Sequence, residues 1–473
     1  MSFKRIGGVA VLAALAIGVS GCSTVGSTVG KLNPFHKREK SSKTTASEGQ
    51  RISIIAFQPK VEPSTSLKGQ DFMLPPAAPQ ADWPLPGGSP EQSVEHVQAG
   101  GDLRIAWRRG FGKGSDRKHH VVAPPVEADG RVYVMDGDSS VSAIDASSGQ
   151  VVWRTELPSR SKRDKDAFGG GVAYSGGKLY VASGQRYVAQ LDAATGAMGW
   201  KTDTDSPMHA APTVANGRMF AVSTDDVLLA WDTNTGQEIW NYQALVEPAR
   251  LLRASSPAVT GDTVVATFAS GEVIALRAEN GNELWGPQAL SQSNRNNALS
   301  EIRDIAGRPV IYKGDVYAAS HSGVFAAIDM RSGAPRWTLP VTSISTPWAA
   351  GDVVYIVSQA GEVMCVSRDS GQVYWIQDLN ANVPLPKAKR GFGIGPVRIG
   401  GSSGKLRPLW TGPILASDKL ILASNKGQMV ALNPKTGAVL QSENLGDPVL
   451  ISPIAVNGTV YFVTDKADLV AVR

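Results

Sequence analysis

Two cysteines and six histidines in 473 residues leave little material for thiol or metal chemistry. Cys22 and Cys365 stand in unrelated contexts, which excludes a disulfide framework. His119-His120 is the one histidine pair, and neighbours along a strand point to opposite faces, an arrangement unsuited to shared metal ligation. Charge is scarce too. Charged residues make up 19 % of the chain and the formal net charge is +5, two units of which are Lys4 and Arg5. That balance gives no electrostatic case for a nucleic-acid partner. The Ala/Glu/Lys/Leu richness of a helical protein is missing. No apolar run is long enough to span a bilayer comfortably, since Ile6–Val19 has only about 14 residues.

What is abundant is glycine, proline and tryptophan, at 50, 29 and 11 residues. Together with 42 % apolar residues this is a turn-rich, strand-rich profile. The recurring element is Ser142-Ala143-Ile144-Asp145-Ala146-Ser147-Ser148-Gly149-Gln150-Val151-Val152-Trp153, a strand, a turn closed by glycine and a second strand ending in tryptophan. Glycine precedes tryptophan by four positions in Gly149/Trp153, Gly196/Trp200, Gly236/Trp240, Gly281/Trp285, Gly333/Trp337 and Gly371/Trp375; a seventh copy pairs Gly437 with Gln441. Asp145, Asp192, Asp232, Arg277, Asp329, Ser367 and Asn433 stand four positions before each glycine.

Two further strand-like runs precede each copy, as in Ser256–Val259 and Thr263–Phe268 before Val273–Leu276. One unit is therefore four short strands in about 40 residues, and tandem units of that period are the mark of a β-propeller. An eighth copy starts at Ile451 and stops at Arg473, before its last turn and fourth strand. Leu103-Arg104-Ile105-Ala106-Trp107 offers the missing strand. The expectation is an all-β, eight-bladed propeller of four-stranded antiparallel blades over residues 101–473, its ring closed by an N-terminal strand. The repeated Gly supplies a positive φ, the Asp bonds turn amides, and the Trp suits a contact between blades, so repetition points to structure and not to catalysis.

Ahead of the repeats, Lys4-Arg5, the apolar run to Val19 and Ser20-Gly21-Cys22 read as a secretory signal peptide over residues 1–21. Val19-Ser20-Gly21-Cys22 also resembles a bacterial lipobox, which implies lipidation of Cys22; Ser23 in place of Asp implies sorting to the outer membrane. Residues 22–100 read as a lipidated N-terminus and flexible tether, with Lys31, Lys37, Arg38, Lys40 and Lys43 near lipid headgroups. Within it, Arg51–Phe57 forms one strand or docks on the folded part. The Pro75–Pro90 segment around Trp83-Pro84-Leu85-Pro86 is extended and packs on that part.

The unit Ala-(Leu/Ile)-Asp-x-x-(Thr/Ser)-Gly-x-x-x-Trp resembles the PQQ-type propeller repeat. With the lipobox and eight blades, the whole chain resembles the BamB family, the propeller lipoproteins of the outer-membrane β-barrel assembly machinery. The resemblance implies a non-enzymatic scaffold, without cofactor, that binds BamA's periplasmic domains and helps nascent outer-membrane proteins fold and insert. It implies a place on the periplasmic face of the outer membrane, held there by lipid. Quinoprotein dehydrogenases share the repeat, so PQQ-dependent oxidation is the competing reading, and a lipoprotein of another envelope complex is a third. Here no vicinal cysteine pair exists, Cys365 lies alone in a strand, and Asp136-Gly137-Asp138 reads as a hairpin turn with too few ligands for calcium. By position, the family's BamA contacts fall on Leu251, Leu252 and Arg253 and on Asp304, with Ala306 where a second acid is expected. The basic insertion Gln377–Trp410 is a further candidate surface.

Overall fold

The structure, a computed structural model, describes residues 60–158, 169–247, 251, 255–291, 302–384, 387–388, 402–403 and 407–473. Cys22, the signal segment, Arg51–Phe57, Leu252 and Arg253 lie outside the described residues. Residues 59–473 form one compact unit.

Eight four-stranded antiparallel sheets follow one another along that unit. Blade 1 is Val126–Ala128, Arg131–Met135, Val141–Asp145 and Val151–Thr155. Blades 2 to 7 repeat the pattern over 170–203, 213–243, 258–289, 310–339, 348–378 and 410–444. The first three strands of a blade are almost wholly buried, whereas the fourth alternates, as in Val439–Asn444, because its outer face meets water. The eighth sheet runs Ile105–Gly110, Asp468–Val472, Thr459–Val463, Ile454–Val456, so its outer strand comes from ahead of blade 1. Arg108 sits across from Val470, and its guanidinium bridges Asp468 at 3.0 Å and Asp447 at 2.9 Å. In the 377–410 insertion, Lys387–Ala388 pairs with Ser402–Ser403.

The repeated residues build the seams between blades. Each tryptophan lies on the turn glycine of the next blade: a Cβ on Gly281 would stand 2.7 Å from Trp240 Cε3. The same indole donates to the carbonyl just past the aspartate place of that turn, as from Trp240 to Ala278 at 3.1 Å and from Trp375 to Pro434 at 3.1 Å. Gly281 adopts φ +75°, which a side chain takes at a cost. In the turn itself, Asp145 accepts from the amides of Ser147 and Ser148 and from both hydroxyls.

Two departures from the repeat explain each other. Blade 8 takes its outer strand from 105–110, so no glycine turn joins that strand to Asp468–Val472 and blade 7 meets no glycine platform; blade 7 carries Gln441, whose amide donates to the Asp102 carbonyl. At the other side of blade 8, Trp107 lies against Gly149 of blade 1, 2.7 Å from the Cβ position. Its indole nitrogen has no hydrogen-bond partner. The carbonyl that would receive it, that of Ala146, takes the Tyr461 hydroxyl at 3.1 Å instead.

Residues 60–100 belong to the compact unit and are not a free tether: 60–74 run along blades 6 and 7, Pro75–Pro90 packs on the propeller as expected, and 78–99 form a lid over one end of the central channel. Backbone donors at the ends of the blades' first strands are left over by the sheets, and the lid's carbonyls take them. Asn457 of blade 8 donates to Gln80, Tyr174 of blade 2 to Pro84, Val259 of blade 4 to Pro90, and Ile311 of blade 5 to Glu91. Trp83 and Glu127 of blade 1 exchange two backbone hydrogen bonds, and Val97 does the same with Leu415 and Ser417 of blade 7. Gln92 reaches the Thr213 hydroxyl of blade 3, and the Trp348 indole of blade 6 donates to Glu95. Residues 80–97 thus make one circuit of the channel, closed on itself where Ala78 pairs with Val97. Trp83, 1 % exposed, stacks on Trp348 with ring centroids 6.3 Å apart.

Candidate partner-binding site

The face opposite the lid carries the connections between blades. The link from blade 3 to blade 4 (244–257) is held by carboxylates beneath it. Asp226, in a tight turn of blade 3 at φ +59°, accepts from Glu247 N at 3.3 Å and from Ala269 N at 3.1 Å. Glu272 accepts from the Ser270 hydroxyl at 2.8 Å and from Leu245 N at 3.4 Å. Asp304, in the next link, accepts from Leu251 N at 2.8 Å, while its own carbonyl takes the His321 amide. All three carboxylate residues are buried. Half-buried His321 packs beside them, its ring 3.3 Å from the Ile302 carbonyl, and burial lowers its pKa.

The structure therefore brings two of the four sequence-predicted contact residues together, Leu251 and Asp304, as hydrogen-bond partners. Asp304 is only 3 % exposed, so its carboxyl acts on the loop from below and does not stand out as a surface charge. Ala306, likewise buried, lines the channel mouth. With the loop amides held down, the side chains of Leu245 and Val246 are turned out, at 68 % and 63 % exposure. Adjacent exposed apolar pairs also occur on outer strands, at Val151-Val152 and Val439-Leu440, but Leu245 and Val246 are the most exposed of these and stand on a loop held from beneath. Sequence reasoning passed over them because Ala244-Leu245-Val246 continues the apolar pattern of the preceding strand.

The channel mouth beside this loop is lined by Ser256, Arg308, Thr346, Thr411 and Ser452, with His209 at its rim, around a cavity of about 60 Å³. A small-molecule cofactor needs several hundred Å³. Among the described residues, no group of three or more His, Cys, Asp or Glu is placed to hold a metal ion. Among the described residues, the channel mouth has neither the room nor the ligands for a quinone cofactor with its cation. Cys365 is buried, and burial pushes its thiol well above the ordinary range, as expected for an inert core cysteine. His119 lies outside any strand, with one ring nitrogen 2.9 Å from Asp116 and the other 3.3 Å from Asp138, in the link that leads to blade 1. Asp136 occupies the expected hairpin turn and binds Arg154 and the Lys113 amide, fastening that link.

Fold and site together define an eight-bladed propeller of PQQ-like repeats, lidded at one end and presenting a braced apolar loop at the other. Its likeness to solved structures includes BamB from Moraxella catarrhalis, with a TM-score of 0.62 at 18 % identity over 78 % of this chain and 99 % of that one. The quinohemoprotein alcohol dehydrogenase ADHIIG from Pseudomonas putida HK5 reaches 0.60 at 14 % identity over 84 % and 80 %. These two likenesses concern the fold alone. Sequence discriminates further: the profile described as outer membrane protein assembly factor BamB matches residues 91–164, 139–377 and 397–473. The chain belongs to that family. Among its relatives, the outer membrane protein assembly factor BamB of Yersinia pestis is 27 % identical over 63 % of this chain and 81 % of that protein. The Escherichia coli K12 protein of the same name is 24 % identical over 76 % and 88 %.

Proposed function

We propose that this protein is a non-enzymatic scaffold of the outer-membrane β-barrel assembly machinery, anchored by lipid at Cys22 to the periplasmic face of the outer membrane. Its partner there is the periplasmic portion of BamA, and the assembly serves folding and insertion of nascent barrel proteins. The observation that carries this reading is the braced loop between blades 3 and 4, in a chain whose family is named for outer-membrane assembly. Leu245 and Val246 supply exposed apolar area, Leu251 is fixed by Asp304, and Leu252 and Arg253 follow within the same connection. Arginine is enriched among the energetic anchors of protein interfaces, and the leucines and valine of the same connection would add apolar area that excludes water around it. Asp304 serves as a positioning residue, holding the loop that makes the contact. The narrow channel and its donor set favour this reading over quinone-dependent oxidation.

Affinity purification of the tagged full chain from detergent-solubilised envelopes tests the proposal. BamA is expected to co-purify with the wild type, and Arg253→Glu or Leu245→Ser with Val246→Ser should reduce its recovery at least about tenfold, the loss of one anchor contact. Absence of BamA from the wild-type eluate, or unchanged recovery with both variants, refutes it. The anchor is tested separately: Cys22→Ser should move the protein from the membrane pellet to the soluble fraction.

A further inference from the structure

The lid is seated on an unusual residue. Glu127 lies in the first strand of blade 1, fully buried, directly under the paired backbone of Trp83. Neither of its carboxyl oxygens makes a well-formed hydrogen bond, the Gly130 amide being a donor set toward it at poor geometry. A buried carboxyl so poorly supplied with donors is tolerable when protonated and costly when ionised. Its surroundings sharpen that preference. From the lid, Asp82 faces it; from the turn after its own strand, Asp129 does so, together with the Gly130 amide. Asp82 and Asp129 are themselves joined, the Asp129 amide donating to Asp82 at 3.3 Å, and Asp129 also receives the Tyr174 hydroxyl of blade 2. From blade 8 the neighbour is Tyr461, whose hydroxyl is spent on Ala146 and which lies beside Arg473. Among the described residues, no cation pairs with Glu127.

We propose that the lid of residues 78–99 is a pH-responsive latch over the channel, seated while Glu127 is protonated and loosened at blade 1 when Glu127 ionises. The proposal stands on the interface itself: a buried carboxyl poorly supplied with donors, two further carboxylates around it, and the lid's backbone hydrogen bonds immediately above. Burial first, then Asp82 and Asp129, push the Glu127 pKa up to about 7, against the Gly130 amide, which lowers it. With the lid lifted, Glu127 meets water and returns to the ordinary carboxylate range. The seated state therefore binds the proton more tightly. Its advantage is full below about pH 4.5, falls between there and about 7, and is gone above. Loosening uncovers the Trp83–Trp348 stack that floors the channel and frees the Tyr174 amide. The freed edge is the kind of surface that accepts an extended chain.

Amide hydrogen exchange on the full-length protein tests the latch, with rates corrected for the intrinsic effect of pH. Between about pH 5 and about pH 8, protection of the Trp83, Glu127 and Tyr174 amides is expected to fall on the order of 10²-fold. The Val265 amide, deep in blade 4, serves as reference and should hold constant. Glu127→Gln, the neutral isostere, is expected to keep the lid protected at both pH values. Wild-type protection that does not change with pH, a parallel fall at Val265, or a Glu127→Gln profile that follows the wild type would each overturn the proposal. Should that variant fail to fold, Asp82→Asn carries the test. Removing one carboxylate should shift the transition to lower pH, and an unmoved transition overturns the latch.

Discussion

At the scale of single residues, the repeat is a device of one tryptophan and one glycine placed in neighbouring blades. Its cost is testable by contrast. Gly281→Ala meets both a positive φ of +75° and Trp240 Cε3 at 2.7 Å, and should destabilise by about 2–4 kcal/mol. Gly261→Ala shares the positive φ but has nothing within 4 Å, and should cost only about 1–2 kcal/mol. Thermal or denaturant unfolding distinguishes the two. Gln441→Trp is the complementary test: blade 8 has no turn glycine to receive an indole, so restoring the repeat residue should bring no gain in melting temperature. The tryptophans, glycines and turn aspartates were legible from spacing alone. The reason for Gln441 was not, because it lies in what the following blade lacks. Leu251 and Asp304 were legible as a pair of interest, but their hydrogen bond and the burial of Asp304 depend on how two separate links converge. Leu245 and Val246 were hidden by a strand-like pattern whose exposure only the braced loop decides.

At the scale of elements, eight blades could be counted in the sequence, whereas the lid was legible only as a Pro75–Pro90 segment expected to pack on the folded part, and its circuit of the channel was not. Residues 75–90 have the proline-rich composition of a linker, and nothing local distinguishes a solvated extended segment from one stretched over a ring of waiting backbone donors. The one signal was Trp83-Pro84-Leu85-Pro86, too apolar for a segment left in water. Trp83→Ala should therefore cost about 3–5 kcal/mol, the range for truncating a buried aromatic, and a loss under about 1 kcal/mol in chemical denaturation would mean the lid carries little stability. Removing residues 103–110 acts on another element. It strips Asp468–Val472 of its neighbour and leaves an unpaired edge, so the truncated chain should associate as its concentration rises, visible by light scattering.

At the scale of the whole molecule, two sets of acids titrate with opposite effect. Asp145, Asp192 and Asp329 are held down to about 2, Asp145 and Asp329 chiefly by serine hydroxyls and Asp192 chiefly by Lys178. Their folded-state pKa lies below the unfolded value, so the stability they contribute is present above about pH 4 and lost as pH falls toward 2. Glu127, held up to about 7, contributes in the opposite sense, and its effect is lost as pH rises through neutrality. Melting temperature against pH should thus pass through a maximum in the mildly acidic range, and Glu127→Gln should flatten its alkaline side. A maximum above pH 8 in the wild type contradicts this balance.

The outer strand of the last blade bears on how the protein is made. Arg108 and Asp468 are 360 positions apart, and Arg104 exchanges two backbone hydrogen bonds with Arg473, the final residue. Bringing such distant partners together costs about 5 kcal/mol of chain entropy before any contact repays it. Ile105–Gly110 must then wait for Asp468–Val472, with the strands of seven blades lying between them in sequence. The eighth sheet is accordingly open at its outer edge until both partners are in place, and contacts of such high sequence separation are slow to form.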